Sequence, residues 1–402
     1  MPRPRLTAAL VLLCFVGPLS TDMYLPAFPR MAAELRTDAS GVQLTLTAFL
    51  VGMTLGHLVF GPLSDRYGRR GPLLAGAAVC AAATALCAVA PGLGSLTALR
   101  FVAGFSGAAG VVIGRAVVSD VAEGAAAARL LGVLMTLAGT APVLAPLAGG
   151  AVIGVTGWRG VFWVLAGVSL LAVAAVAVAV PESLPTARRR TGGGGELLLT
   201  MREVAGDGAY TGYTLAFTFA FGALFCYLAG SPFLLQNVLG LSVGVSSVAF
   251  SGGAVVAALS SATGARLVGR IAPERLLRTG LYAMLAGTAA LLAATVAGVL
   301  TAAVCLPLVA VVCAGLGLVI ANAASLALAR VPAAAGTASA LLGTAQSGLG
   351  AVVAPLVGLG GADTAVPVFA GMTVCGGLAV LAARAAGRAE GFPPARPAPH
   401  PG

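Results

Sequence analysis

The chain has no lysine, so all 23 of its basic residues are arginine, set against 13 acids. Only 9% of its residues are charged, too few to cover the surface of a soluble domain. Two histidines are present, and neither supports a metal site: His57 has no second ligand near it in sequence, and His400 lies in a proline-rich tail. The seven cysteines (Cys14, Cys80, Cys87, Cys226, Cys305, Cys313 and Cys375) fall inside apolar stretches without a C-x-x-C pair, and so read as small apolar fillers. No metal and no cofactor is expected. Gly192–Gly195 is a simple glycine run without the lysine and strand-to-helix context of a phosphate-binding loop, which excludes ATP drive. No groove pattern of interleaved bases and aromatics is present, which excludes nucleic acid as a partner. The apolar stretches hold no Ser/His pair or acid dyad, so no catalytic residues are assigned and an enzyme is not expected.

What is present is apolar length. Hydrophobic residues make up 59% of the 402, in stretches of about twenty residues, the length needed to cross a bilayer core. These read as twelve spans, near 6–28, 41–60, 71–91, 95–118, 129–154, 161–181, 209–232, 242–264, 275–297, 301–329, 335–358 and 364–386. Met1–Ser20 resembles a secretory signal, but it lacks a small-x-small cleavage site and its apolar run continues to Phe28, so it is read as an uncleaved first helix. Twelve spans put both termini on one side. Arginines crowd that side, with only Arg30, Arg36 and Arg159 in the opposite loops, so the termini are expected to be cytoplasmic. The net charge of +10 then reflects topology and contact with anionic membrane lipid.

The chain also repeats itself. Ala145-Pro146-Leu147-Ala148-Gly149 recurs as Ala354-Pro355-Leu356-Val357-Gly358, and the same offset aligns Gly139 with Gly348. The pattern predicts an all-α membrane protein of two six-helix bundles, residues 1–181 and 209–386. Residues 182–208, with Arg188-Arg189-Arg190 and the glycine run, are expected to be a flexible linker, and 387–402 a disordered proline-rich tail.

Charge inside the spans is costly and therefore informative. Asp22 lies about 24 Å along the first helix from Leu6, and Arg100 enters the fourth helix from the same face to a matching depth. The two are placed to pair across helices. Burial disfavours a carboxylate anion and a nearby guanidinium favours it, so an acid that moves between those surroundings can take up and release a proton. The third feature is the turn Gly61-Pro62-Leu63-Ser64-Asp65-Arg66-Tyr67-Gly68-Arg69-Arg70, dense with charge in a chain that has little. Its glycines and proline suit a tight reversal, and its acid among arginines suits a charge cluster that forms and breaks.

That turn resembles the loop between helices 2 and 3 of the major facilitator superfamily. Ser20-Thr21-Asp22-Met23-Tyr24-Leu25-Pro26-Ala27-Phe28-Pro29 resembles the helix 1 signature of its Bcr/CflA-type multidrug efflux members, and Arg100-Phe101-x-x-Gly104 resembles the helix 4 motif of proton-coupled members. Ala141-x-x-x-Ala145-Pro146-x-x-Gly149-Gly150 resembles the helix 5 antiporter motif, with alanine at both leading glycines. Further echoes are Gly157-Trp158-Arg159-x-x-Phe162 and Pro181-Glu182-Ser183-Leu184-Pro185. Two departures stand out: Ala103 replaces a common glutamine of the helix 4 motif, and Cys14 stands where some relatives carry a second helix 1 acid.

The resemblance implies a monomeric, proton-coupled exporter of small drug-like molecules in a bacterial cytoplasmic membrane, chloramphenicol- or bicyclomycin-like compounds among them. A carrier of a sugar or other metabolite, or an exporter of an endogenous natural product, is the alternative. Asp22 and Arg100 would couple protons. The turn, with Asp65 meeting the helix start near Ala335 and Arg69 meeting Asp120, would be a conformational latch. The substrate cavity is expected at the midplane among Tyr24, Phe49, Phe105, Phe221, Phe225, Asn322 and Gln346, mostly apolar and so suited to a lipophilic ligand.

Overall fold

The computed structural model describes residues 4–121, 139–185 and 195–389. The expected features at Arg129, Arg188–Arg190, Gly192–Gly194 and 390–402 lie outside the described residues. The first half contains α1 (Pro4–Asp22), the short α2 (Phe28–Glu34), α3 (Ala39–Tyr67), α4 (Arg70–Ala88), α5 (Leu93–Val121) and α6 (Ala141–Ala179). After α7 (Gly195–Gly206) the second half contains α8 (Gly208–Phe233), α9 (Val243–Leu267), α10 (Pro273–Val296), α11 (Ala302–Arg330), α12 (Ala335–Gly358) and α13 (Val366–Ala389). Eleven described helices are long and apolar enough to cross a membrane. One of them, α6, is broken at Gly157, whose φ of 74° and ψ of −174° leave the helical region, so it contributes two spans and the described residues make twelve passes. The described ends, Pro4 and Ala389, therefore share a face, here called the terminal face.

Three boundaries differ from the sequence reading, each for a local reason. The first span breaks after Asp22, where Pro26 and Pro29 withhold the N–H groups a continuing helix needs; a 3₁₀ turn at Leu25–Ala27 and α2 follow. The charged turn is shorter than expected. Gly61 to Tyr67 remain helical through Pro62, and only Gly68, at φ 93°, and Arg69 reverse the chain. The linker is not wholly extended: its second part forms α7, with Val204 buried, and α7 packs on α8 and α12.

Lipid tails offer no hydrophobic drive for helix association, so close backbone approach through small residues does that work. A Cβ on Gly104 of α5 would sit 2.1 Å from the Phe49 carbonyl oxygen of α3. This contact sets the two backbones side by side and brings Phe49 opposite Arg100. In the second half, α8 is the central post: 83% of its span is buried, against 28% for α9 on the flank.

The halves meet through α3 against α12 and the first leg of α6 against α9. Among the described residues, both hydrogen bonds that join them lie at the face away from the termini. Gln43 Nε2 donates to the Ala229 carbonyl at 3.0 Å, and Gln236 Nε2 donates to the Pro26 carbonyl at 2.9 Å. Gln236 is aimed there by a wide π-type turn over Leu234–Val238, just after Pro232. The far face is closed in this conformation.

Candidate functional site: a buried acid beside a caged arginine

Asp22 ends α1 immediately before the proline-rich break and is 5% exposed. Arg100, on α5, is 1% exposed. The two do not form an ion pair, which corrects the expected salt bridge. Arg100 Nη2 donates instead to the Ser20 carbonyl at 2.9 Å, two residues before the acid. Its guanidinium carbon lies 4.2 Å from the ring centroid of Phe49, 4.5 Å from that of Tyr24 and 5.8 Å from that of Phe162. Its Nε is buried without a hydrogen-bond partner.

The physical reason lies in the aromatic groups. Each ring face offers a desolvated cation up to about 2 kcal/mol. Three together soften a burial cost of several kcal/mol without removing it. Arg100 is therefore a buried cation with a spare donor, one turn of backbone from a buried acid with no cationic partner. Tyr24 is held in place by its hydroxyl, 3.3 Å from Thr45 Oγ1. Thr45 and Phe162 were missed by the sequence reading as members of this cage, although Phe162 stood in a named motif echo.

The antiporter-like segment forms the wall behind the acid. Ala141 and Ala145 are fully buried, and Pro146 lies within the first leg of α6. A Cβ on Gly149 would fall 1.8 Å from the Met23 carbonyl oxygen, and one on Gly150 would fall 2.4 Å from Ser247 Oγ in the other half. This leg therefore touches both the helix break after Asp22 and the seam between the halves.

At the terminal face the charged turn forms one connected cluster. Arg69 Nη1 donates to Ser64 Oγ at 2.8 Å and to Asp65 Oδ1 at 2.5 Å, and Arg69 Nε donates to Asp120 Oδ2 at 3.1 Å. Ser183 Oγ donates to the same Asp120 oxygen at 2.8 Å. The Glu182 carboxylate accepts from the backbone N–H groups of Arg69 at 2.8 Å and Arg70 at 3.3 Å, capping the start of α4. Arg70 Nη2 donates to the Ala177 carbonyl at 2.8 Å, near the end of α6. Arg66 rests 5.5 Å from the Tyr67 ring centroid, and Gly61, within α3, faces Val112 of α5.

Two expectations about this cluster change. Asp65 meets Arg69 within its own turn, and its expected meeting with the start of α12 near Ala335 is not among the contacts of the described residues. Every contact named lies within the first half or its outgoing strap, and all are formed while the far face is closed. The cluster thus staples α3, α4, α5 and α6 to one another. Glu182 and Ser183, read from sequence as the start of a flexible linker, are part of it.

The expected cavity residues make separate local contacts. Tyr24 and Phe49 belong to the Arg100 cage. Phe105 packs with Phe60 at 5.5 Å and Phe101 at 6.4 Å between centroids. Phe221 stands between Phe217 at 4.8 Å and Phe225 at 6.3 Å, and Phe225 abuts Gly350 of α12. Asn322 is buried and donates to the Leu318 carbonyl of its own helix at 2.8 Å, so its amide is spent locally. Gln346 is half-buried and makes no hydrogen bond with a described residue. Arg115, a further charge within α5, was passed over in the sequence. Gln43 was also passed over, though a lone amide in an apolar span was signal enough.

Comparison with known proteins gives the family and the fold. Residues 10–355 match the family model described as Major Facilitator Superfamily. The chain is 37% identical to the uncharacterized MFS-type transporter YdgK of Bacillus subtilis, over 94% of this chain and 95% of that one. It is 32% identical to the bicyclomycin resistance protein homolog of Haemophilus influenzae, over 92% and 93%. Its fold is similar to that of a bacterial homolog of the human lysosomal transporter Spinster, solved in an inward-facing, unoccupied conformation, with TM-score 0.78, 15% identity and coverage of 98% and 100%.

Proposed function

Because the chain belongs to the Major Facilitator Superfamily, as a multi-pass cell-membrane transporter and not an enzyme, we propose that it exports small lipophilic compounds in exchange for protons. The observation that carries this reading is the buried Asp22 without a cationic partner, beside a buried Arg100 with an unused Nε. Relatives named for drug resistance support the substrate class. The crowding of arginine on the terminal face supports a cytoplasmic orientation for that face, so the conformation closed at the far face is inward-open.

Asp22 exchanges its proton according to whether Arg100 lies against it. In the inward-open conformation Arg100 is held by Ser20 and the three rings. Substrate entering next to the cage displaces the guanidinium toward Asp22, which then releases its proton to the cytoplasm. Rocking of the halves breaks the Gln43 and Gln236 bonds and opens the far face, where a new proton reaches Asp22 and substrate leaves. The apolar rings of α8 suit a lipophilic ligand, with Gln346 as a polar point of contact.

The test is Asp22→Asn in proteoliposomes with an imposed pH gradient, since the amide keeps the volume and cannot cycle a proton. Uphill export and substrate-linked proton movement are expected to vanish while the protein still inserts and binds substrate. Gradient-driven export at the wild-type rate would refute proton coupling through Asp22.

A further inference from the structure

A second charged site lies away from the pathway, on the outer wall of the second half. A cleft of 420 Å³ opens at the terminal face between α8, α10 and α13. Among the described residues, neither α10 nor α13 packs closely against the first half, so we place this wall toward lipid. Arg278 of α10 and Arg384 and Arg388 of α13 line the cleft, above a floor that includes Leu277, Leu281 and Val380.

Among the described residues, no acid pairs with any of the three cations. Arg384 and Arg388 stand one turn apart on the same face of α13, where like charges repel. The helix C-terminus favours Arg388, but Arg278 sits in the second turn of α10, near the end that disfavours a cation. Glu274 is in the cleft, yet forms no ion pair with any of them; Arg278 Nε donates to its backbone carbonyl at 3.4 Å. Arg384 Nη2 donates to the Tyr282 hydroxyl at 3.0 Å and its guanidinium carbon lies 5.9 Å from that ring's centroid, contacts that orient the guanidinium without supplying an anion.

We propose that this cleft binds the phosphate headgroup of an anionic glycerophospholipid, with the arginines holding the phosphate and an acyl chain running down the outer wall past the exposed Tyr282 ring. Size, charge and place agree. The volume falls within the roughly 300–1,000 Å³ of ordinary ligand sites. Arginine forks suit phosphate oxygens, and the cleft lies at headgroup depth, within two turns of the ends of α10 and α13. The place of the cleft on the outer wall, with the exposed Tyr282 ring beside the arginines, favours a lipid over a free phosphate.

Native mass spectrometry of the full-length protein, titrated with phosphatidylglycerol or phosphatidylcholine, tests this. The first phosphatidylglycerol is expected to bind selectively, and to bind at least about ten-fold more weakly to the R384Q/R388Q double variant. An R270Q/R275Q control, which removes the same charge from the same face outside the cleft, is expected to bind like wild type. Should the double variant fail to fold, R278Q provides the same comparison. Binding within about two-fold of wild type by the cleft variants, or equal loss in the control, would overturn the site. Displacement of the bound lipid by millimolar inorganic phosphate would show that free phosphate is the occupant and overturn the lipid assignment.

Discussion

Replacing Gln236 with leucine removes one of the two hydrogen bonds between described residues that hold the far face closed, and its effect can be worked from the structure. Gln236 Nε2 gives a single bond of 2.9 Å to the Pro26 carbonyl in the opposite half. A neutral hydrogen bond is worth about 0.5 to 1.5 kcal/mol net, so its loss raises the ratio of far-face-open to far-face-closed molecules about 2- to 13-fold at 25 °C. Gln43 is the poorer probe. Its Nε2 bonds Ala229, but its Oε1 is buried without a partner, so leucine there would also relieve an orphaned acceptor costing about 1 to 3 kcal/mol, and the sign becomes uncertain. The assay is the labelling rate of a cysteine introduced at Ser40, beside the seam with Gly358, by an impermeant maleimide. The seven native cysteines are buried and contribute little background. Because the open form is the minor one, labelling should rise in proportion to the shift. An unchanged or slower rate in Gln236→Leu would mean that this bond does not hold the closed conformation together.

Three further outcomes follow from the same contacts. Arg100→Lys should lower export at least about ten-fold while substrate still binds, because an ammonium loses the planar stacking of the guanidinium on Phe49 and Tyr24; wild-type turnover would refute the cage. Glu182→Gln keeps an acceptor but removes the charge at the start of α4, and at this exposed position about 0.3 to 1 kcal/mol of stability is at stake; an unchanged unfolding midpoint in thermal denaturation would deny the staple. Gly149→Val should abolish transport, since even a Cβ collides with the Met23 carbonyl; the check is active export after the folded fraction is measured by size exclusion.

The membrane class, twelve passes, the internal repeat and the positions of Asp22, Arg100 and the charged turn were legible in the sequence, because lipid forces each span to be apolar and makes each charge an exception. Arg69 and Asp120 could be matched from sequence because both sit at helix ends on one face. The rest depended on helix rotation and on partners distant in the chain. Sequence places Arg100 at the depth of Asp22, but only packing through Gly104 turns it onto Phe49, Tyr24 and Phe162 and leaves the acid unpaired. Only the folded chain brings Glu182 back to cap α4 from more than a hundred residues away, which turns an expected linker into part of the staple. Which face is closed was likewise a tertiary matter: two glutamine amides decide it, and nothing local to Gln43 or Gln236 names Ala229 or Pro26 as their acceptors.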